Sequence, residues 1–195
     1  MRTTLTRLAP LAAIFALSGC ISFGEDPPET LFNLSPAIAE SETAITGTVE
    51  NALIVEEPSA SQRLAVTRVP VQVDASNVAY LQEALWVERP TRLMQALVAE
   101  TVRARTGRIV FEGDDTDATG GTLLSGRLLE MGYDARDGSV IVRFDALLHR
   151  EGRDTVARRF ESRIPGIAPE ANAVGPALNQ AANDVAGQIA DWISG

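Results

Sequence analysis

Apolar positions recur at two different periods along this chain, and the places where the period changes predict its elements. From Pro90 to Thr106, Leu93, Met94, Leu97, Val98, Thr101 and Val102 repeat at three- and four-residue spacing, which describes a helix with one buried stripe. Pro90 suits the first helical turn and Gly107 the residue just past the last. A second, Ala-rich helix is predicted from Glu170 to Ser194, behind the breaker Pro165–Pro169. Its stripe runs Val174, Leu178, Ala181, Val185, Ile189, Trp192 and Ile193. Between the helices the period drops to two. Thr122 to Tyr133, Ser139 to His149 and Thr155 to Ile164 read as strands joined by Asp137-Gly138 and Glu151-Gly152, both hairpin punctuation. In the middle strand Val140, Val142, Phe144, Ala146 and Leu148 share one face, and Arg143, Asp145 and His149 the other. That is an antiparallel meander with one buried face.

Upstream the pattern is shorter and less regular. Leu31-Phe32-Asn33-Leu34, stopped by Ser35-Pro36, predicts a brief strand, and Ala37 to Thr48 a loop or weak helix. Asn51 to Val55 and Arg63 to Val73 read as strands from their β-branched content, with Pro58-Ser59 breaking between them. Val78 to Val87 fits helix or strand, and Arg108 to Phe111 resumes as a strand after the first helix. The sum is an α/β (α+β) fold: a two-layer sandwich of a mixed, largely antiparallel sheet with two main helices, expected over residues 31–195.

The first nineteen residues follow a different logic. Arg2 and Arg7 form a positive start, Leu8 to Leu17 is apolar apart from Pro10, and no acid precedes Glu25. Ten helical residues rise only about 15 Å, half of a bilayer's hydrocarbon core, so residues 1–19 read as an export signal. Leu17-Ser18-Gly19-Cys20 resembles the bacterial lipobox, cut just before the Cys. The Cys20 thiol would then carry diacylglycerol and its freed amine a further acyl chain. At about 0.8 kcal/mol per buried methylene, two or three such chains give durable anchoring. Cys20 is the chain's only cysteine. Residues 20–30, with Gly24, Pro27, Pro28 and three acids, read as a tether. Ile21 stands where an Asp would signal retention in the inner membrane of enteric bacteria, which favours the outer membrane.

Composition removes several classes of function. The 195 residues carry 26 acidic and 17 basic side chains, for a net charge of −9, and every basic residue is Arg. Loss of Arg2 and Arg7 with the signal makes the mature chain more acidic still. Such a chain, without a basic cluster, is a poor partner for nucleic acid. One Cys and one His leave almost nothing for zinc hydrolase or thiol protease chemistry, and the absence of Lys rules out a Ser–Lys pair and a P-loop. His149 reads as a surface or edge histidine, and Trp86 and Trp192 as core or interface residues. Asp114-Asp115-Thr116-Asp117 before Gly120-Gly121 hints at a calcium loop, but the twelfth position from Asp115 is Gly126, where a bidentate Glu is needed. An acidic loop between strands is the reading, with no metal site. Glu56-Glu57 is an ordinary surface pair. No catalytic residue and no cofactor beyond the acyl groups on Cys20 are expected.

Several stretches, in order, resemble the ABC-type transport auxiliary lipoprotein family. Leu31 to Pro36 is similar to the family's aromatic-x-Leu-x-Pro segment. Arg68-Val69-Pro70-Val71, then Tyr80 and Trp86, resembles its strand leading to a Tyr and an Arg-Trp pair, although Leu85 replaces the Arg here. Leu124 to Leu128, Arg159-Phe160-Glu161 and the closing helix to Trp192 complete the likeness. The resemblance implies a non-catalytic accessory subunit, anchored in the outer membrane and facing the periplasm. Its implied partners are an ABC permease and ATPase and a periplasmic protein with a mammalian-cell-entry (MCE) domain, moving phospholipids or other hydrophobic compounds. A structural or regulatory envelope lipoprotein, such as an activator of a cell-wall enzyme, stays open as the alternative, as does a homo-oligomer. Two helical stripes and one sheet face suffice to cover one another, and aromatic content is only 5%. We therefore expect an adapter working through protein contacts rather than a lipid carrier with a deep cavity.

Overall fold

A computed structural model describes residues 30–37, 45, 47–113 and 121–195. The export signal, Cys20, the tether to residue 29, most of 37–48 and Asp114–Asp117 lie outside the described residues. The described chain runs β1 (Leu53–Val55), β2 (Ser59–Ala60), β3 (Arg68–Gln72), β4 (Val78–Leu85), α1 (Pro90–Thr106), β5 (Val110–Glu112), β6 (Thr122–Asp134), β7 (Ser139–Arg150), β8 (Val156–Pro165) and α2 (Ala171–Ser194).

All eight strands form one mixed sheet organised by β6. Along one edge β6 pairs antiparallel with β7, which pairs antiparallel with β8. Along its other edge it pairs in parallel with β1, β2 and β3 in turn. Beyond these, β5 lies parallel to β1 and β4 antiparallel to β3. Both helices cover one face, giving the expected two-layer sandwich. The hairpin glycines Gly138 and Gly152 take φ of 65° and 69°, the region their turns demand. Helix α1 begins at Pro90 and closes on Gly107, whose N–H donates to the Arg103 carbonyl. Its buried Gln95 is satisfied by donating to the Val55 carbonyl at 2.9 Å, and Trp86 sits in the core at 2% exposure.

Pairing across β6 and β7 is interrupted once. Leu124, Gly126 and Leu128 oppose Leu148, Ala146 and Phe144, and the register then slips between Leu128 and Glu130. The extra residue, Leu129, shifts the alternation, so that Met131 and Tyr133 return to the helix-covered face opposite Val142 and Val140. The Leu129 carbonyl accepts from Arg63 Nη2 at 3.1 Å.

Three expectations change. Arg63 to Val73 is not one strand: Gln62–Leu64 is a 3-10 turn that drives Leu64 into the core, and the strand begins only at Arg68. Asn51 is likewise the last residue of a 3-10 turn, Val49–Asn51, and the strand begins at Leu53. Leu31 to Leu34 forms a single parallel bridge, Phe32 with Trp86, rather than a strand. The ambiguous Val78 to Val87 resolves as β4. It carries an irregularity opposite Arg68–Pro70, with Glu83 at φ 55°.

Close approach within the sheet explains Gly126. A Cβ there would lie 2.3 Å from the Asp145 carbonyl oxygen and 2.6 Å from the Phe144 ring. Backbone on one side and a core ring on the other leave little freedom to relax. Gly126→Ala is expected to cost about 2–3 kcal/mol, read as a fall in the urea midpoint at unchanged m-value. An unchanged midpoint would show that the two strands separate more easily than this packing implies.

Candidate functional site

Two surfaces stand out, a strap at the start of the domain and the bare outer face of the sheet. The strap, residues 30–37, is fixed to both layers. Phe32 N–H donates to the Leu85 carbonyl at 2.7 Å, and Val87 N–H to the Phe32 carbonyl at 2.9 Å. The Phe32 ring meets Trp86 edge-on, with centroids 5.5 Å apart at 81°. It lies over Gly175 of α2, where a Cβ would approach the ring to 2.9 Å. Two asparagines one helical turn apart on α2 then read the strap's backbone. Asn179 Oδ1 accepts from Ser35 N–H at 2.9 Å, and Asn183 Oδ1 from Ala37 N–H at 2.7 Å. Asn183 also donates to the Ser35 carbonyl. Residues 32–37 are therefore fixed to both the sheet and α2.

On the outer face, cross-strand register assembles charges into rows. Arg127, Asp145 and Arg159 lie opposite one another on β6, β7 and β8, and Glu130, Arg143 and Glu161 form the next row. Signs alternate within each row and between them, so neighbours are of opposite charge. Arg159 grips Asp145 with two hydrogen bonds of 2.6 and 2.8 Å. Arg143 bridges Glu130 at 2.8 Å and Glu161 at 2.6 Å. Those bonds lower the Asp145 and Glu161 carboxyls and raise both guanidinium groups.

A third group closes the β6–β7 hairpin. Asp134, only 3% exposed, is held by Arg136 Nε and Nη2 at 2.7 and 2.6 Å, with Arg163 at 3.5 Å. Arg163 also pairs with Asp137 at 2.6 Å. Hydrogen bonds from Arg136 lower Asp134 to about 2, against the opposing effect of burial. His149 is an exposed residue of β7 with Nδ1 3.1 Å from Thr155 Oγ1.

Of the residues read from the sequence, Cys20 and the Asp114–Asp117 loop lie outside the described residues. Arg143, Asp145 and His149 do share the outer face. Sequence reasoning missed the partners Arg127, Glu130, Glu161 and Arg163, and the two asparagines on α2. Alternation places a side chain on a face, but only the register says which charge lies opposite. The stretches that suggested a family pair up in space: Phe32 with Trp86, Arg68 over the Tyr80 ring at 4.6 Å, and Phe160 with Trp192 at 5.5 Å.

These features define a two-layer α/β domain with a fixed N-terminal strap and an ion-paired open sheet. The chain belongs to the ABC-type transport auxiliary lipoprotein component family, which matches residues 32–190. Solved structures share the fold at low identity. A Xanthomonas campestris protein of family DUF330 aligns with a TM-score of 0.69 at 16% identity, covering 84% of this chain and 94% of that one. An uncharacterised protein aligns at 0.65 and 16%, covering 74% and 92%. The PelC dodecamer from Paraburkholderia phytofirmans is more distant, at 0.42 and 13%, covering 75% and 91%. No curated protein matches significantly.

Asp134 ionises at lower pH in the folded chain than in the unfolded one. Its stabilisation is complete above about pH 4 and is lost as pH falls toward 2. With Arg136 half exposed, screening trims the effect to about 1–2 kcal/mol. Asp134→Asn should lower stability by that amount at pH 7 and flatten the acid limb of the stability curve below pH 4. An acid limb as steep as in the parent chain would assign the proton uptake to other carboxylates.

Proposed function

We propose that the chain is exported, cut before Cys20 and acylated there, and that it works as a non-catalytic accessory subunit anchored in the outer membrane. Its partners in this reading are a periplasmic MCE-domain protein and an ABC permease and ATPase moving phospholipids or other hydrophobic compounds. Family membership across residues 32–190 is the observation that carries the reading. Two features of the fold support an adapter within such an assembly. Among the described residues, the helices and the inner sheet face bury their apolar side chains against one another. A hollow lined by Val55, Met94, Val98, Leu124 and Phe144 amounts to about 10 Å³, whereas a site for a drug-sized ligand needs about 300 Å³ or more. The strap also fixes where the tether arrives. Thr30 lies ten positions beyond Cys20, a stretch of at most about 36 Å when extended, which holds the domain close to its anchor.

The expected outcome for Cys20→Ala is a chain that stays uncleaved or soluble in the periplasm, released by a salt and carbonate wash. The parent chain should fractionate with the outer membrane and co-purify with the MCE-domain partner, without stoichiometric phospholipid in native mass spectrometry. Retention of Cys20→Ala in washed outer membrane would overturn the anchoring, and bound stoichiometric phospholipid the adapter role.

A further inference from the structure

Exposed apolar side chains are ordinary when they are scattered, and here they gather. Among the described residues nine large apolar side chains are exposed. Five of them, Leu31, Val66, Val73, Val78 and Val87, belong to the strap or to the β3–β4 hairpin and its flanks. Backbone pairing shows how the residues beside the strap are turned. Phe32 bridges Trp86 in parallel, and both rings face the helix layer, Phe32 over Gly175 of α2. By alternation Leu31, Leu85 and Val87 turn the other way, onto the outer face. Leu31 is 50% exposed and Val87 44%, with Leu85 half-buried beside them.

Arg68 lies opposite Leu85 on this face and stacks over the Tyr80 ring at 4.6 Å. Its guanidinium forms no ion pair among the described residues. Aliphatic side chains beside an aromatic ring and a long cationic one suit a membrane interface, where apolar bodies sink and polar tips stay among headgroups. The edge of β4, by contrast, is closed to an added strand. The strap already pairs with it at Leu85 and Val87, and Glu83, at φ 55°, breaks the regular backbone just before. A face is left open here, and no edge.

We propose that Leu31, Leu85 and Val87, with Arg68 and Tyr80, rest on the lipid surface that holds the acyl anchor, so that the domain stands on the β4 side of its sheet. The proposal rests on acylation at Cys20 and names the surface that the anchor brings to the membrane. Thr30, next to Leu31, lies ten positions beyond Cys20 and at most about 36 Å from it. The patch thus sits at the root of the tether. Three aliphatic side chains are too few to hold a domain on a bilayer alone. A short tether makes their contact intramolecular, at a high effective concentration of lipid, and a weak patch then suffices. A second copy would cover the same side chains without needing them at the root of the tether.

The test uses the acylated chain in vesicles of phosphatidylethanolamine with a minority of phosphatidylglycerol. Cys20 is the only cysteine, so once it is acylated an introduced cysteine is the single free thiol. Leu31→Cys, Val87→Cys, Leu147→Cys and Val156→Cys, all at exposed positions, are each labelled with a bimane dye, and a lipid carrying a nitroxide on its headgroup is added. The labels at 31 and 87 should lose most of their fluorescence. Those at 147 and 156, toward the opposite edge of the sheet, should lose almost none. Leu31→Glu should restore most of the fluorescence of the Val87→Cys label, because a carboxylate resists transfer out of water. Equal quenching at all four positions, or none at 31 and 87, overturns the proposal. So does shielding of those two labels from aqueous iodide without nitroxide quenching, which would mean that protein, a second copy included, covers the patch. If Leu31→Glu does not fold, the four labelled chains decide. Flotation with the vesicles reads the anchor separately. A chain that floats without quenching at 31 and 87 loses this contact and keeps its anchor, and one that does not float loses both.

Discussion

Strand β6 runs 13 residues, pairs along one edge with β7 and at intervals along the other with β1, β2 and β3, and must keep one face dry. A strictly alternating strand with this sequence fails that demand. Even-numbered residues face the helices up to Leu128. Continued alternation would then bury Glu130 and expose Met131 and Tyr133. The extra residue at Leu129 resets the phase, which buries Met131 and Tyr133 and turns Glu130 to the outer row beside Arg143. A bulge leaves a carbonyl out of the ladder, and an unmet buried acceptor is costly. Arg63 meets this one, and the 3-10 turn at Gln62–Leu64 brings Arg63 within reach. The turn, the bulge, the apolar inner face and the charged outer face are thus parts of one solution.

That coupling also explains what could be read from the sequence. Both helices and the three long strands were legible because their signals are local: a 3.6-residue stripe behind Pro90 and before Gly107, and period-two runs separated by Asp-Gly and Glu-Gly. The stretch from Arg63 to Val73 misled because β-branched content counts the same in a turn as in a strand. What made it a turn was burial of Leu64 and the reach of Arg63 to Leu129, a contact more than sixty residues away. Parallel pairing of β1, β2 and β3 with β6 was illegible for the same reason. No local pattern specifies which distant edge a short strand joins. On the outer face, alternation gave the positions of Arg143 and Asp145, while their partners depended on a register that the bulge itself shifts.

The stretches that suggested the family are packing pairs rather than chemistry. Phe32 closes on Trp86, Arg68 stacks on Tyr80, and Phe160 rests against Trp192. Such pairs fasten the chain's entry to β4, steady the β3–β4 hairpin and join β8 to the end of α2. Each joins parts far apart in sequence and close in space. That is why they can mark a fold while saying little about what its open surface touches.

The strap and strand β8 lie toward opposite edges of the sheet. In the order β8-β7-β6-β3-β4, residues 30–37 enter beside β4, at the edge away from β8. Four strand spacings of about 4.8 Å set the two edges roughly 19 Å apart. One helix serves both. Asn179 and Asn183 of α2 hold the strap, and Asp184 and Gln188, up to two turns further on, hold β8. The entering chain is held first by the backbone beside β4, through Phe32, and then by α2, through Ser35 and Ala37. One helix thus fastens the entering chain at one edge of the sheet and β8 at the other, and its packing against the sheet keeps the distance between them fixed.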